Sequence, residues 1–290
     1  MRSYTRNTMR MVMKSYMRNT MRMGMKPYMR NMIIAVVLAV VKGLAYNLSV
    51  SNFQAEHFLI YEMGLGKPAF LPSHMVKLIT DLFPIFIIEF IEGISIYKHM
   101  CSGGVYYFSR QSNRRRWFYK EVLQLALRVA CYILTYFLAE TLVVVGCFRG
   151  TLSLAAISLL VYLILYALTY AVLFALGINL LSVLAGSQIG LTIVYCIQLA
   201  FMAVLLLYDT EMKLKGIGLW IFRLNPIANV IFTWHSTQGT LKPYVNLYQI
   251  NFDLNSSILY FAAGSVLLIF IGAMLVDRQD IALINREVEG

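Results

Sequence analysis

Residues 121–176 read EVLQLALRVACYILTYFLAETLVVVGCFRGTLSLAAISLLVYLILYALTYAVLFAL. In these 56 residues the only charged side chains are Glu121, Arg128, Glu140 and Arg149. The run falls into two apolar windows, 121–147 and 152–176, joined by CFRG at 147–150. Each window exceeds the ~20 residues that carry a helix across a ~30 Å hydrocarbon core. A four-residue joint between them predicts a tight helical hairpin inside a membrane.

Four more windows of this kind lie near 33–52, 80–98, 187–208 and 256–276. The whole chain has the composition to match, with 59% hydrophobic and 13% charged residues and a mean hydropathy of +0.67. So few charges cannot cover a soluble globule, so lipid must solvate much of the surface. The fold class that follows is all-α, a polytopic membrane protein of about six spanning helices. Residues 33–290 form one transmembrane domain, and residues 1–32 form a separate tail.

That tail explains most of the formal charge of +11. Residues 3–14 (SYTRNTMRMVMK) repeat as 15–26 (SYMRNTMRMGMK), and PYMRNM at 27–32 begins a third copy. Eight of the cations lie here, spaced every fourth residue. Such spacing drifts ~40° per step around a helix, so it gives no single basic face. Two readings fit: a polybasic segment on an anionic leaflet, or a duplication with a disordered product. Without the tail the net charge is modest, and it is not the signature of a nucleic-acid partner. A signal peptide over 33–45 is disfavoured by Lys42, placed immediately before the small residues a peptidase would need.

The remaining cations orient the chain. The short loop 98–120 holds six Lys and Arg residues, which places it, and both termini, in the cytoplasm by the positive-inside rule. The four cysteines, Cys101, Cys131, Cys147 and Cys196, share no metal-ligand spacing and suggest no disulfide framework. GLGK at 64–67 is followed by Pro68 and is no phosphate-binding loop. No HExxH or GxSxG is present, and the spans lack histidine. No catalytic residue, metal or bound cofactor is therefore expected of this chain. An intramembrane enzyme is the weakest of the readings.

Ionisable residues within the spans are costly and mark interfaces or pathways. Glu89 and Glu92 lie three apart on the second span. Arg128 sits at the same depth as Glu92, which predicts an Arg128–Glu92 pair with Glu89 one turn further out. Glu140 is twelve residues beyond Arg128, ~18 Å along the helix, and cannot join them. Lys42 needs a partner of its own or an aqueous cavity. These charges read either as a substrate or switch site or as a lock between helices. Before the last span, residues 216–235 (GIGLWIFRLNPIANVIFTWH) are too interrupted to cross. Asn225 and Pro226 break the helix, leaving short re-entrant or interfacial helices anchored by Trp220 and Trp234.

Three stretches carry a resemblance: VYYFSRQSNRRRWFYKEVLQLA (105–126), LNPIANVIF (224–232) and the closing DRQDIALINREVEG (277–290). With the six-span topology they resemble the ABC-2-type permeases, above all the small ones paired with bacterial peptide or bacteriocin exporter ATPases. The resemblance implies a bacterial plasma-membrane subunit that pairs with a second permease copy or paralogue and with cytosolic ATPases. Those partners would bind ATP and magnesium, and the substrate would be an amphipathic peptide or a lipid-like molecule, in export, immunity or resistance. The docking region would be Tyr107, Phe108, Arg110, Arg114, Arg115, Arg116 and Trp117. The rival expectation is a membrane immunity or sensor protein that binds its ligand without an ATPase and without moving it.

Overall fold

A computed structural model describes residues 27–48, 55–65, 71–101, 113–148, 151–206, 217–248, 250 and 252–278. The chain is helical throughout its long elements: α1 (Pro27–Leu48), α2 (Ala55–Met63), α3 (Leu71–Glu92), α4 (95–101), α5 (Arg114–Phe148), α6 (Leu154–Ala185), α7 (Ser187–Leu206), α8 (Ile217–Leu224), α9 (Lys242–Val245) and α10 (Leu254–Arg278). Among the described residues there is no strand, only an isolated bridge between Ser236 and Asp253.

Five helices, α1, α5, α6, α7 and α10, are long and apolar enough to cross a membrane. The sixth expected span, α3, has 22 residues and so the necessary length of ~33 Å. It also carries Lys77, Asp81, Glu89 and Glu92, which takes it out of the apolar class. It is housed by protein instead, packed on α5, α6 and α7.

The centre of the bundle is α6, which packs against α2, α3, α5, α7 and α10. It is apolar all round, as a helix with neighbours on every side should be. Ser153 caps its start by accepting from the Ala156 amide at 3.0 Å. Its end is Gly186, at φ 89°, a conformation that favours glycine, and the chain turns there directly into α7. The α5–α6 turn falls between Phe148 and Leu154, where CFRG predicted it, with residues 149–150 outside the described set. Close crossings need absent side chains: a Cβ on Gly272 would lie 2.4 Å from Phe118 and 2.6 Å from Leu180.

Long helices alternate in direction. Asn31 near the start of α1 meets Glu92 at the end of α3, and Arg115 at the start of α5 meets Asp277 at the end of α10. The end of the bundle that collects these residues is called inner below, and the other end outer. The start of α1 and the end of α10 are thus on one side of the bundle.

Two boundaries differ from the sequence reading. Helix α1 is described from Pro27, inside the third repeat copy, so the first transmembrane helix includes residues of the repetitive tail. The stretch 53–79, expected as an outer loop, contains α2 and the first turns of α3. Both fold against the bundle, and α2 packs on α6.

Candidate functional site: two polar layers in the bundle

The apolar windows supply helices; their few polar residues decide how α1, α3 and α5 meet. Each of these helices contributes to an inner layer and to an outer layer. The pairs are Asn31 and Lys42, Glu92 and Asp81, and Arg128 and Glu140, eleven or twelve residues apart. At 1.5 Å per residue the layers stand about 17 Å apart, a little over half of a ~30 Å hydrocarbon core.

The inner layer is the pair expected from matching depth. Arg128 Nε donates to Glu92 Oε2 at 2.7 Å, with both side chains buried. Asn31 Nδ2 donates to the other carboxylate oxygen, also at 2.7 Å, and Arg128 Nη2 reaches the Ser95 hydroxyl at 3.2 Å. Both oxygens of Glu92 are therefore occupied, which is the condition under which a buried ion pair is tolerated.

Directly beneath it the backbone breaks at Gly93 and Ile94, between α3 and α4. A break inside a membrane leaves amides that must find partners. Asn179 of α6 supplies them. Its carbonyl accepts from the amides of Ile96 at 2.8 Å and Tyr97 at 3.3 Å, and its amide donates to Glu92 O and Ala175 O. A Cβ on Gly93 would approach Ile178 to 2.8 Å. At the far end of α4, His99 Nδ1 lies 2.8 Å from Glu121 of α5. That hydrogen bond raises the His99 pKa above its ordinary value, against some burial.

Glu89 does not extend the inner layer outward as expected. One turn of α3 rotates it towards α7, where Gln198 Nε2 donates to it at 2.8 Å. Glu89 Oε1, Gln198 Oε1 and the Tyr170 hydroxyl have no hydrogen-bond partner among the described residues.

The outer layer answers the need of Lys42. Its ammonium pairs with Glu62 of α2 and lies 3.3 Å from Asp81 of α3. Lys77 pairs with Asp81 at 2.5 Å, donates to the Tyr61 carbonyl and sits 4.1 Å over the Tyr61 ring. Glu140 belongs to this layer, as its distance from Arg128 required, and its charge interacts with Lys42, Glu62 and Asp81. Neither of its oxygens has a hydrogen-bond partner among the described residues, nor has Glu62 Oε1 or the hydroxyl of Tyr136, one turn from Glu140.

Above the outer layer, residues 225–253 form an irregular cap. Asn225 holds its start, donating to Phe201 O at 2.7 Å and accepting from the Ile227 amide at 2.8 Å. The break after α8 is where Asn225 and Pro226 predicted it. Trp220 is 60% exposed, as an interfacial anchor should be. Trp234 is not: it is fully buried, 5.1 Å from the Phe222 ring, because the cap folds down onto the bundle and takes its largest ring inside. Fully buried His235 ties the cap to α10. Its Nδ1 donates to Ile231 O at 2.9 Å, and the Ser257 hydroxyl lies 2.9 Å from its Nε2 and 2.7 Å from Asn229 Oδ1. Burial pushes the His235 pKa down to about 4, so the ring is neutral. Glu56 of α2 accepts from Ser153, and this hydroxyl holds its carboxyl below the usual range.

Of the basic loop, Tyr107, Phe108 and Arg110 lie outside the described residues. Arg114, Arg115, Arg116 and Trp117 form the first turn of α5. Arg115 is engaged by Asp277 at 2.8 Å, both well exposed, and Trp117 packs half-buried against the core.

Sequence reasoning missed Asn31, Glu62, Asp81, Asn179, Gln198 and His235. Gln198 carried a usable signal, an amide inside an apolar window, and Asp81 lay at the start of another. Asn31, Glu62, Asn179 and His235 lay in segments taken for tail, loop or re-entrant stretch.

Fold and layers together define an all-α polytopic membrane protein in which Arg128 and Lys42 are paired with acids of other helices. The chain belongs to the family described as "Protein of unknown function (DUF2705)", whose model matches residues 32–282. No curated protein and no solved structure matches the chain.

Proposed function

We propose that this chain is the membrane-spanning permease subunit of an ATP-binding-cassette exporter in a bacterial cell membrane. It would work with separate cytosolic ATPase subunits and a second permease copy or paralogue, moving an amphipathic peptide or lipid-like substrate. The observation that supports this reading is the pair of polar layers on α1, α3 and α5, with a break in α3 beside the inner one. Charged groups kept at such cost inside a membrane suit a path or an element with two arrangements. The break connects them through α4 to the basic loop, where a cytosolic motor would dock. An apolar groove of about 710 Å³ between α6, α7 and α10, lined by residues such as Phe174, Val194, Ile197 and Leu268, suits the apolar side of such a substrate.

Affinity purification from cells that carry the neighbouring genes tests the proposal. Co-purification of a Walker-motif ATPase, lost on replacing Arg114 and Arg116 by Ser, is the expected result. Unchanged function after deletion of that ATPase would overturn it. A second reading, ligand binding without transport, draws on a polar cleft of about 780 Å³ at the outer end, lined by Tyr162, Gln238, Lys242, Asp253 and Asn255. Under that reading, the same deletion leaves ligand binding and protection intact.

A further inference from the structure

The outer layer holds an odd charge. Lys42 of α1 and Lys77 of α3 bring two ammonium groups, whereas Glu62 of α2, Asp81 of α3 and Glu140 of α5 bring three carboxyl groups. The other titratable side chains facing this layer are tyrosines: Tyr46, Tyr61 and Tyr136. Both ammonium groups already have ion-pair partners, Lys42 in Glu62 and Asp81, Lys77 in Asp81. Glu140 makes no ion pair within 4 Å among the described residues, although it lies near enough to Lys42 to interact with it. It is 1% exposed, and a water molecule reaches neither of its oxygens, which have no hydrogen-bond partner.

An ionised carboxylate in that position would carry a heavy cost of desolvation with no ion pair of its own to offset it. A metal ion does not answer the excess, since no group of three or more carboxylate, His or Cys side chains among the described residues is arranged to hold one. Oxygens closed to water have room for a proton and nothing larger. A second observation points the same way. The Tyr136 hydroxyl, buried one turn away, interacts with the Glu140 carboxyl group and has no other partner among the described residues, and a phenol can serve a carboxyl group as donor or acceptor.

We propose that Glu140 is a proton-binding site: its carboxyl group carries one exchangeable proton while Lys42 sits on Glu62 and Asp81, and releases it when the ammonium moves across to Glu140. In that exchange the O–H bond at Glu140 breaks, and the proton passes to Glu62, which has lost its ammonium and whose Oε1 is unpaired. One O–H bond forms for the one broken, and the charge of the layer is unchanged. The lever is short. Gly43, next to Lys42, brings α1 so close to α5 that a Cβ there would lie 3.0 Å from Val143 and 3.5 Å from the Glu140 carbonyl. The inference concerns the layer alone and stands apart from the permease reading.

Infrared spectroscopy of the full chain in lipid nanodiscs tests it. The carbonyl stretch of a protonated carboxylic acid should be present at neutral pH and shift in D2O. The component that belongs to Glu140 should be lost in Glu140→Gln and kept in Glu89→Gln, which removes a second buried carboxyl group. Because Gln mimics the protonated acid, Glu140→Gln should also keep the wild-type unfolding temperature, whereas Lys42→Met should lower it. A carboxylic-acid absorption left unchanged by Glu140→Gln overturns the proposal. So does a Glu140→Gln variant as unstable as Lys42→Met, since Glu140 would then be the ionised counter-ion of Lys42.

Discussion

The inner and outer layers are built on the same three helices at the same spacing, yet they are finished differently. The inner layer holds one cation and one anion, and Arg128, Asn31 and Ser95 enclose Glu92 so that both its oxygens are used. Its one unpaired atom is Asn31 Oδ1. The outer layer holds two cations and three acids and leaves Glu62 Oε1, both oxygens of Glu140 and the Tyr136 hydroxyl without partners. A saturated, neutral cluster has one good arrangement and acts as a clamp. An overfilled one has several of similar energy and can exchange among them. The backbone repeats the contrast, since the break in α3 is pinned by Asn179 at the inner end, while Lys42 changes partners beside a glycine at the outer end.

The largest expected effect comes from breaking the clamp. Arg128→Met strands a buried carboxylate and should cost about 3–5 kcal/mol, read as a lower midpoint of thermal unfolding in detergent. Exchanging the pair, Glu92→Arg with Arg128→Glu, should be more stable than either single variant. A double variant no better than the singles would refute the pairing. Next is Asn179→Ala, which strands the amides of Ile96 and Tyr97 at a cost of about 1–3 kcal/mol. It should also speed hydrogen exchange at those amides while leaving α10 protected.

Acid distinguishes the two ends by sign. At the outer end His235 is held neutral, with its pKa depressed to about 4. The unfolded chain takes up that proton near pH 6.5, so this contribution is complete above pH 6.5 and lost as pH falls towards 4. A His235→Gln variant should be less stable at neutral pH and show a shallower acid loss over that window. The smallest effect belongs to His99, whose pKa is raised by Glu121. Its contribution is complete below about pH 6.5 and fades as pH rises through the folded value. With half the side chain in solvent, it should amount to less than ~1 kcal/mol. Glu121→Gln should abolish it in a titration of unfolding temperature against pH.

The Arg128–Glu92 contact was legible because depth in a membrane can be counted along a helix from each end. The distance from Arg128 to Glu140 was legible for the same reason. The destination of Glu89 was not, since one turn of α3 decides whether it faces α5 or α7, and both are apolar in sequence. Trp234 misled because a tryptophan beside a helix break reads alike whether it lies at the lipid interface or folds inward.

The sequence by itself determined the class of this protein and the depth of its charges. Apolar length fixes what can cross a bilayer, and 1.5 Å per residue fixes where each charge sits along the normal. Only the tertiary structure decided azimuth and partners: that Asn31, in a repeat read as tail, completes Glu92, that Glu62 folds in from an apparent loop to meet Lys42, and that Glu140 is left over. Periodicity locates a residue on its own helix. Which neighbour it faces depends on how helices far apart in the chain pack together, and no local pattern records that.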